Sequence, residues 1–332
     1  MQDITMKQID VFTTTPFAGN PAGVVTEAEA LPSETMQAIA AEMNLSEVAF
    51  VTLPSREEAL FRVRFFTQSE EFDLSGHALI ASCFALLEEG RIPLEGGVTK
   101  TLFETRAGLI RLDIHYEAGI PAGASRLGVE NGTIVSIDGT PAGVLEKIML
   151  HQTVKRHRPS NVSIREIAGY CGIDEGEITR TGLPLEIVTT GLEQLMIPVL
   201  HKETIRDMNP DLIKLGIMNR TYGIHTNHLF SLDVFTPDCT AYLRHFAPAL
   251  GMWEDPASGT AAAALTSYLL RHGVVTSGNL VVEQGKETDN LARIIVEGAD
   301  PDDPTAEMRI GGLAVTSISR RIGIEAGELV VR

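Results

Sequence analysis

Aromatic side chains are scarce. They make up 5% of the 332 residues, with a single tryptophan, so aliphatic side chains and alanine must fill any core. Cysteine is scarcer still. Cys83, Cys171 and Cys239 lie far apart with no CxxC pair, which argues against a disulfide framework or a cysteine-only zinc site and suits ordinary thiols in a reducing compartment. Positive charge is also short: 27 Lys and Arg against 44 Asp and Glu leave a net charge of -17. A field of that sign repels phosphate backbones and anionic lipid surfaces, so neither nucleic acid nor a membrane is expected as a partner. A small anionic substrate stays open to such a protein, provided that a local positive device holds it. No apolar run approaches the roughly 20 residues that span a bilayer. No basic region leads into an apolar stretch at the N-terminus, and the expected location is the cytoplasm. There is no G-x-G-x-x-G after a strand, no P-loop, no H-E-x-x-H and no G-x-S-x-G elbow. Nicotinamide, nucleoside-triphosphate and zinc-hydrolase readings therefore lack their usual supports. His225 and His228 flank Thr226-Asn227 without acidic or cysteine neighbours, so no metal site is expected there.

What is present is an ordinary globular composition, 44% hydrophobic and 21% charged, at a length that suits about two domains. Residues 8–11 alternate as a strand does, and Phe17-Ala18-Gly19-Asn20-Pro21 is a turn cluster before a short strand at 23–25. Ser33 is expected to cap a helix that Asn44 ends. Strands are expected at 48–51 and 61–67, a helix after Gly76, and a hairpin across 105–108. A Gly, Pro and Ala-rich stretch at 117–123 suggests a domain boundary. Later expectations are a helix at 164–171 stopped by Gly172, a strand at 228–236, a short helix or irregular segment at 240–250, and an alanine-rich helix from Ser258 to about Gly273. Helices and strands mix without steady βαβ alternation, which favours an α+β class with mostly antiparallel sheets. The expected domains are 1–118 and 119–322, with a C-terminal strand at 323–332 that could complete the first.

The two halves rhyme. Arg64-Phe65-Phe66-Thr67 precedes Asp73-Leu74-Ser75-Gly76-His77-Ala78 and a helix; Asp233-Val234-Phe235-Thr236 precedes Asp255-Pro256-Ala257-Ser258-Gly259-Thr260-Ala261 and a helix. Such an echo suggests duplication of one unit. A helix start leaves about four N–H groups without intrahelical partners and carries roughly half a positive charge. A glycine in its first turn lets a ligand approach the backbone. Two such starts facing one another would form a cleft able to hold a carboxylate on an acidic protein. Taken singly, Ser75 and Ser258 could be plain N-caps. Glu47, at a helix-to-strand junction before an apolar run, is a candidate proton carrier. His77 in a first helical turn would tend to stay neutral.

Together these residues resemble the PhzF-like family of phenazine-biosynthesis isomerases. The resemblance runs through Val11-Phe12, Phe17-Ala18-Gly19-Asn20-Pro21, Asn44-Leu45-Ser46-Glu47, Arg64-Phe65-Phe66-Thr67, Gly76-His77-Ala78, Thr190-Gly191-Leu192 and residues 255–262. It implies a diaminopimelate epimerase-like fold: two pseudo-symmetric α+β domains, each a curved, mostly antiparallel sheet around a central helix, with the active site between them, and commonly a homodimer. It implies Glu47 as the proton-transferring glutamate, and His77 and Asp255 as groups that hold substrate and assist the proton. Gly76, Gly259 and Thr260 would supply backbone donors to the substrate carboxylate beside Ser75 and Ser258, with Asn20 as a cleft residue. The expected activity is a cofactor-independent isomerase acting on a small carboxylate-bearing compound. Alternatives are a one-base epimerase or lyase on a hydroxylated amino acid, and a non-catalytic binder. Epimerase relatives use paired cysteines where this chain has Ser75 and Ser258, and a hydroxyl is too weak a base to replace a thiolate. The chain also departs from the family at 284–290, which lacks the arginine that many relatives carry after Gln-Gly.

Overall fold

The structure, a computed structural model, describes residues 2–94, 97–118, 127–130, 133–136, 141–303, 305–325 and 328–330. It divides into two units, 1–150 with 311–332, and 151–310. Unit 1 contains β1 (Gln2–Val11), β2 (Asn20–Val25), α1 (Ser33–Met43), β3 (Val48–Thr52), β4 (Phe61–Phe66), β5 (Glu71–Phe72), α2 (Gly76–Glu88), β6 (Val98–Thr105), β7 (Gly108–Ala118), β8 (Leu127–Glu130), β9 (Thr133–Ser136) and β10 (Pro141–Gln152), which ends at the boundary. Unit 2 contains β11 (Arg156–Pro159), α3 (Ile164–Cys171), α4 (Glu175–Thr179), β12 (Glu186–Thr189), β13 (Glu193–Pro198), α5 (Lys202–Asp207), α6 (Leu212–Tyr222), β14 (Thr226–Ser231), β15 (Ala241–Ala247), β16 (Met252–Asp255), α7 (Gly259–Arg271), β17 (Leu280–Gln284), β18 (Ala292–Glu297) and β19 (Met308–Gly312). The chain then returns to unit 1 as β20 (Ala314–Glu325) and β21 (Glu328–Val330).

In unit 1, β1 pairs antiparallel with β2 and β20. β2 runs parallel to β3, and β4 is antiparallel to β3 and β5. Helix α2 then carries the chain back so that β6 lies parallel beside β4 and turns into β7. Every residue of α2 from Ala78 to Leu87 is buried, so this helix is apolar all round, as a helix enclosed by strands must be. It touches β1, β2, β3, β4, β8 and β20. Unit 2 repeats the order. β12 pairs with β13, β13 runs parallel to β14, and β15 is antiparallel to β14 and β16. Helix α7 then returns the chain so that β17 lies parallel beside β15 and pairs with β18. Its residues Ala261 to Leu270 are all buried. Four consecutive alanines here let strands approach closely, which is how a chain poor in aromatics fills this core. The α+β class with two pseudo-symmetric halves is therefore found.

Five expectations differ from what is found. The division falls at 150/151 and 310/311 instead of 118/119 and 322/323, because β10 pairs back onto β7 and the returning β20 spans 314–325 along β1. Residues 119–123 of the expected boundary stretch, and 326–327 and 331–332 of the last expected strand, lie outside the described residues. Pro32 takes the cap position of α1 in extended conformation, and Ser33 is already helical, its hydroxyl accepting from Arg64 Nη2 at 2.9 Å. The strand expected at 228–236 stops at Ser231, and 241–247, expected as helix or irregular, is strand β15. All seven residues of β15 are buried. Its Tyr242 and Phe246 join an outer layer with α3, α5 and α6, while the opposite face looks toward α7. Burial on both faces erases the alternation that marks a strand. Lastly, the true counterpart of Arg64-Phe65-Phe66 is Arg244-His245-Phe246. Asp233-Val234-Phe235-Thr236 is a loop held by the buried Glu283, whose carboxylate accepts from the amides of Phe235 and Thr236 at 2.5 and 3.1 Å.

Candidate active site

In unit 1, Glu47 immediately precedes β3, and its backbone carbonyl accepts from Gly23 N of β2 at 3.1 Å. Its side chain is 16% exposed. Ser75 caps α2: its Oγ accepts from Ala78 N at 3.3 Å and donates to the Glu47 carboxylate. His77 Nδ1 lies 3.3 Å from both Glu47 Oε2 and Ser75 Oγ. His77 Nε2 is buried with no hydrogen-bond partner among the described residues. A carboxylate, a hydroxyl and an imidazole therefore meet at the start of a buried helix. Gly76 completes the arrangement. A Cβ built there meets nothing within 4 Å, and its φ is not in the left-handed region. Neither packing nor conformation requires glycine, so its effect is to leave the first-turn N–H groups uncovered. Asn20 is the buried first residue of β2, opposite Val11.

In unit 2, Ser258 caps α7 with nearly the same backbone angles as Ser75, −128° and 114° against −121° and 121°. Its Oγ accepts from Ala261 N at 3.3 Å and lies 3.0 Å from Thr260 Oγ1. Thr260 thus stands where unit 1 has His77, and Gly259 where it has Gly76. Asp255 ends β16; its Oδ1 accepts from Ala257 N at 3.3 Å, and its Oδ2 is 3.5 Å from His245 Nδ1. Gln284 holds the intervening turn from beneath. Its Oε1 accepts from Ser258 N at 3.0 Å and its Nε2 donates to Asp255 O at 2.8 Å. Gln194 Nε2 donates to Thr260 O at 3.3 Å.

The scaffold around each helix start is duplicated in detail. Arg64 binds Glu71 through two bonds of 2.8 Å, and Arg244 binds Glu254 through bonds of 2.7 and 2.8 Å. Each guanidinium also lies over a phenylalanine ring, Phe66 at 5.2 Å and Phe246 at 4.9 Å. The chemistry is not duplicated. Val48 lies opposite Phe66 and Asn227 opposite Phe246, so Thr226 occupies the position of Glu47. Across the next register position unit 1 has Ala49, Phe65 and Phe72, whereas unit 2 has His228, His245 and Asp255. Burial pushes the His245 imidazole down to about 3 and His228 well below its usual value, the latter with help from His245. Both rings are therefore neutral near pH 7. Thiols play no comparable part. Burial raises Cys83 far above its usual range, Cys171 to about 12 and Cys239 to about 11.

Residues 9–320 match the family described as phenazine biosynthesis-like protein. The chain belongs to that family. A Bacillus subtilis protein described as an uncharacterized isomerase is 28% identical over 298 residues, covering 90% of this chain and 91% of its own. A Deinococcus radiodurans protein of the same description is 31% identical over 312 residues, covering 92% and 91%. The crystal structure of a Bacillus anthracis phenazine biosynthesis protein of the PhzF family superimposes with a TM-score of 0.79 at 27% identity, covering 98% of this chain and all of that one. A hydroxyproline epimerase from Agrobacterium vitis, solved with bound trans-4-hydroxy-L-proline, shares the fold at a TM-score of 0.58 and 13% identity. This PhzF-family chain is thus an enzyme whose relatives are described as isomerases. No helix among its described residues is long and apolar enough to cross a membrane.

The structure brings Glu47, Ser75, Gly76 and His77 together in unit 1, and Asp255, Ser258, Gly259 and Thr260 together in unit 2. Sequence reasoning missed Gln284, Gln194 and His245. The one signal available was the recurrence of Arg-x-Phe at 64–66 and 244–246 with spacing close to that between Ser75 and Ser258.

Proposed function

We propose that this PhzF-family enzyme is a cofactor-independent isomerase in which Glu47 removes a proton from carbon in a small carboxylate-bearing, cyclic amino acid-like substrate and returns it elsewhere on the same conjugated frame. The observation that carries this role is the Glu47 carboxylate, largely buried and bonded to the helix cap Ser75, with His77 beside it and open space over Gly76. A carboxylate oriented by a hydroxyl and an imidazole is preorganised for proton transfer, which typically contributes roughly 10²–10⁴-fold. His77 and Asp255 act as polar groups that hold substrate and assist the proton. The first-turn amides at Gly76, and at Gly259 and Thr260, take the substrate carboxylate and spread developing charge; such donors are commonly worth about 3–4 kcal/mol each. Asn20, Ser75 and Ser258 complete the binding set.

The test is hydrogen exchange at carbon in D₂O, followed by NMR, with a hydroxylated amino-cyclohexadiene carboxylic acid and trans-4-hydroxy-L-proline as probes. Glu47→Gln should stay folded and lose exchange by at least about 10²-fold; exchange at the native rate would remove Glu47 from its role. A single substitution in the other unit, Asp255→Asn, should impair the same reaction. Chiral analysis of the products separates isomerisation from epimerisation. Sole Trp253, two residues before Asp255 and exposed, reports binding by its fluorescence; a response without turnover would favour a binding protein. A homodimer and a cytoplasmic location accompany the proposal, to be checked by sedimentation and fractionation.

A further inference from the structure

Strand register places His228 of β14 opposite His245 of β15, and His245 opposite Asp255 of β16. The two imidazoles are buried and stacked, with ring centroids 4.3 Å apart and planes 25° apart. The matching side chains of unit 1, Ala49, Phe65 and Phe72, contain no polar atom. Hydrophobic residues therefore satisfy this place in the fold, and histidines are not needed to fill it.

The histidines instead carry a cost. A buried polar atom without a partner costs about 1–3 kcal/mol. Neither ring nitrogen of His245 has a hydrogen-bond partner among the described residues. His228 meets the Thr226 hydroxyl through Nε2 at 2.9 Å and leaves Nδ1 bare. A neutral imidazole has one N–H to place, and among the described residues Asp255 Oδ2 lies 3.5 Å from His245 Nδ1. That is longer than a formed bond, but catalytic hydrogen bonds are often long before substrate arrives and tighten on binding. Asp255 Oδ1 is already held by Ala257 N. A contact on Oδ2 as well would set the carboxyl plane.

We propose that His245 is a positioning residue for Asp255: its Nδ1–H, on a ring oriented by stacking against His228, holds Oδ2 and fixes the direction in which the carboxyl meets substrate. This rests on the proposed place of Asp255 in the reaction. Unit 1 has no equivalent, because its carboxylate comes from Glu47 and is oriented by Ser75 and His77. The duplicated scaffold thus orients two carboxylates by two different devices.

One arm of the test needs no substrate. In ¹⁵N-histidine-labelled enzyme, with His245→Phe used for assignment, His245 should be the neutral Nδ1–H tautomer from about pH 5 to 8. An Nε2–H tautomer or an imidazolium would overturn the proposal. The second arm uses the hydroxylated amino-cyclohexadiene carboxylic acid in D₂O. His245→Phe installs the residue of unit 1, His245→Asn places an amide N–H near Nδ1, and His245→Gln places one near Nε2. Phe and Gln should lower kcat by about ten- to a hundred-fold with KM within about threefold, as a slightly misplaced group does, and Asn should recover most of the loss. Native kcat in His245→Phe, or equal losses in Phe and Asn, would refute the positioning role. Native exchange in Glu47→Gln, by contrast, sinks the isomerase mechanism, and the tautomer still decides the contact.

Discussion

At the scale of single residues, an inconspicuous side chain holds the turn that carries the unit 2 site. Gln284 is buried, and its amide supplies one acceptor and one donor to the turn that presents Asp255 and Ser258. Gln284→Leu keeps much of the volume but leaves Ser258 N and Asp255 O without these partners. Each orphaned group costs about 1–3 kcal/mol, so urea unfolding should show a loss of about 2–4 kcal/mol, and the enzyme should lose activity beyond what instability explains. The sequence showed Gln284 only as the start of a Gln-Gly stretch, and its role was unseen because its partners lie 26 and 29 positions away. Glu47 was visible as a carboxylate at a helix-to-strand junction before an apolar run, and its role came from its place in a family motif. What makes it distinctive, the contact with Ser75 across 28 positions, is created when β3 is laid beside β2 and β4.

At the scale of elements, the two central helices show how a start can serve structure and chemistry at once. Ser75 and Ser258 are both true N-caps, as their sequence context allowed, and Ser258→Ala should cost about 1 kcal/mol in thermal unfolding experiments. Gly76 separates the two roles. Its Cβ position is open, so Gly76→Ala should fold with a thermal midpoint equal to or slightly above the native one, alanine being up to about 1 kcal/mol the better helix former. The added methyl would nevertheless crowd the first-turn amides, and solvent exchange on the same probe should fall by about ten-fold or more. A stable variant with native exchange would mean that the α2 start binds nothing. The helices were legible because caps are local, made between a residue and its third neighbour. Strand β15 was not, because a strand buried on both faces has no period to read.

At the scale of the whole molecule, the buried imidazoles make stability depend on pH in a window of their own. His228 and His245 have pKa values depressed in the folded state, the latter to about 3. Below the unfolded value of about 6.5 the unfolded chain takes up protons that the folded chain refuses. Stability is therefore full above that pH and falls as pH drops, by about 1.4 kcal/mol per pH unit for each histidine. The carboxylates with lowered pKa add their losses only at lower pH. Glu186 is one: burial opposes its ionisation, but hydrogen bonds from His157 and His272 outweigh that. Thermal unfolding between about pH 7.5 and 5 should thus steepen with two-histidine character, and His245→Phe should roughly halve the slope. An unchanged slope in that variant would show that His245 is not the group responsible.

The amino-acid sequence alone determined the class of the fold, its duplication and the two serine-glycine helix starts, because caps, turns and amphipathic patterns act over three or four residues. Tertiary structure alone decided which segments of the halves correspond and where the units divide. It also set Glu47 against Ser75 and His77, and aligned His228, His245 and Asp255 in one row. Those relations are matters of strand register, and register is settled by burial and by pairing between strands, not by any stretch of neighbouring residues.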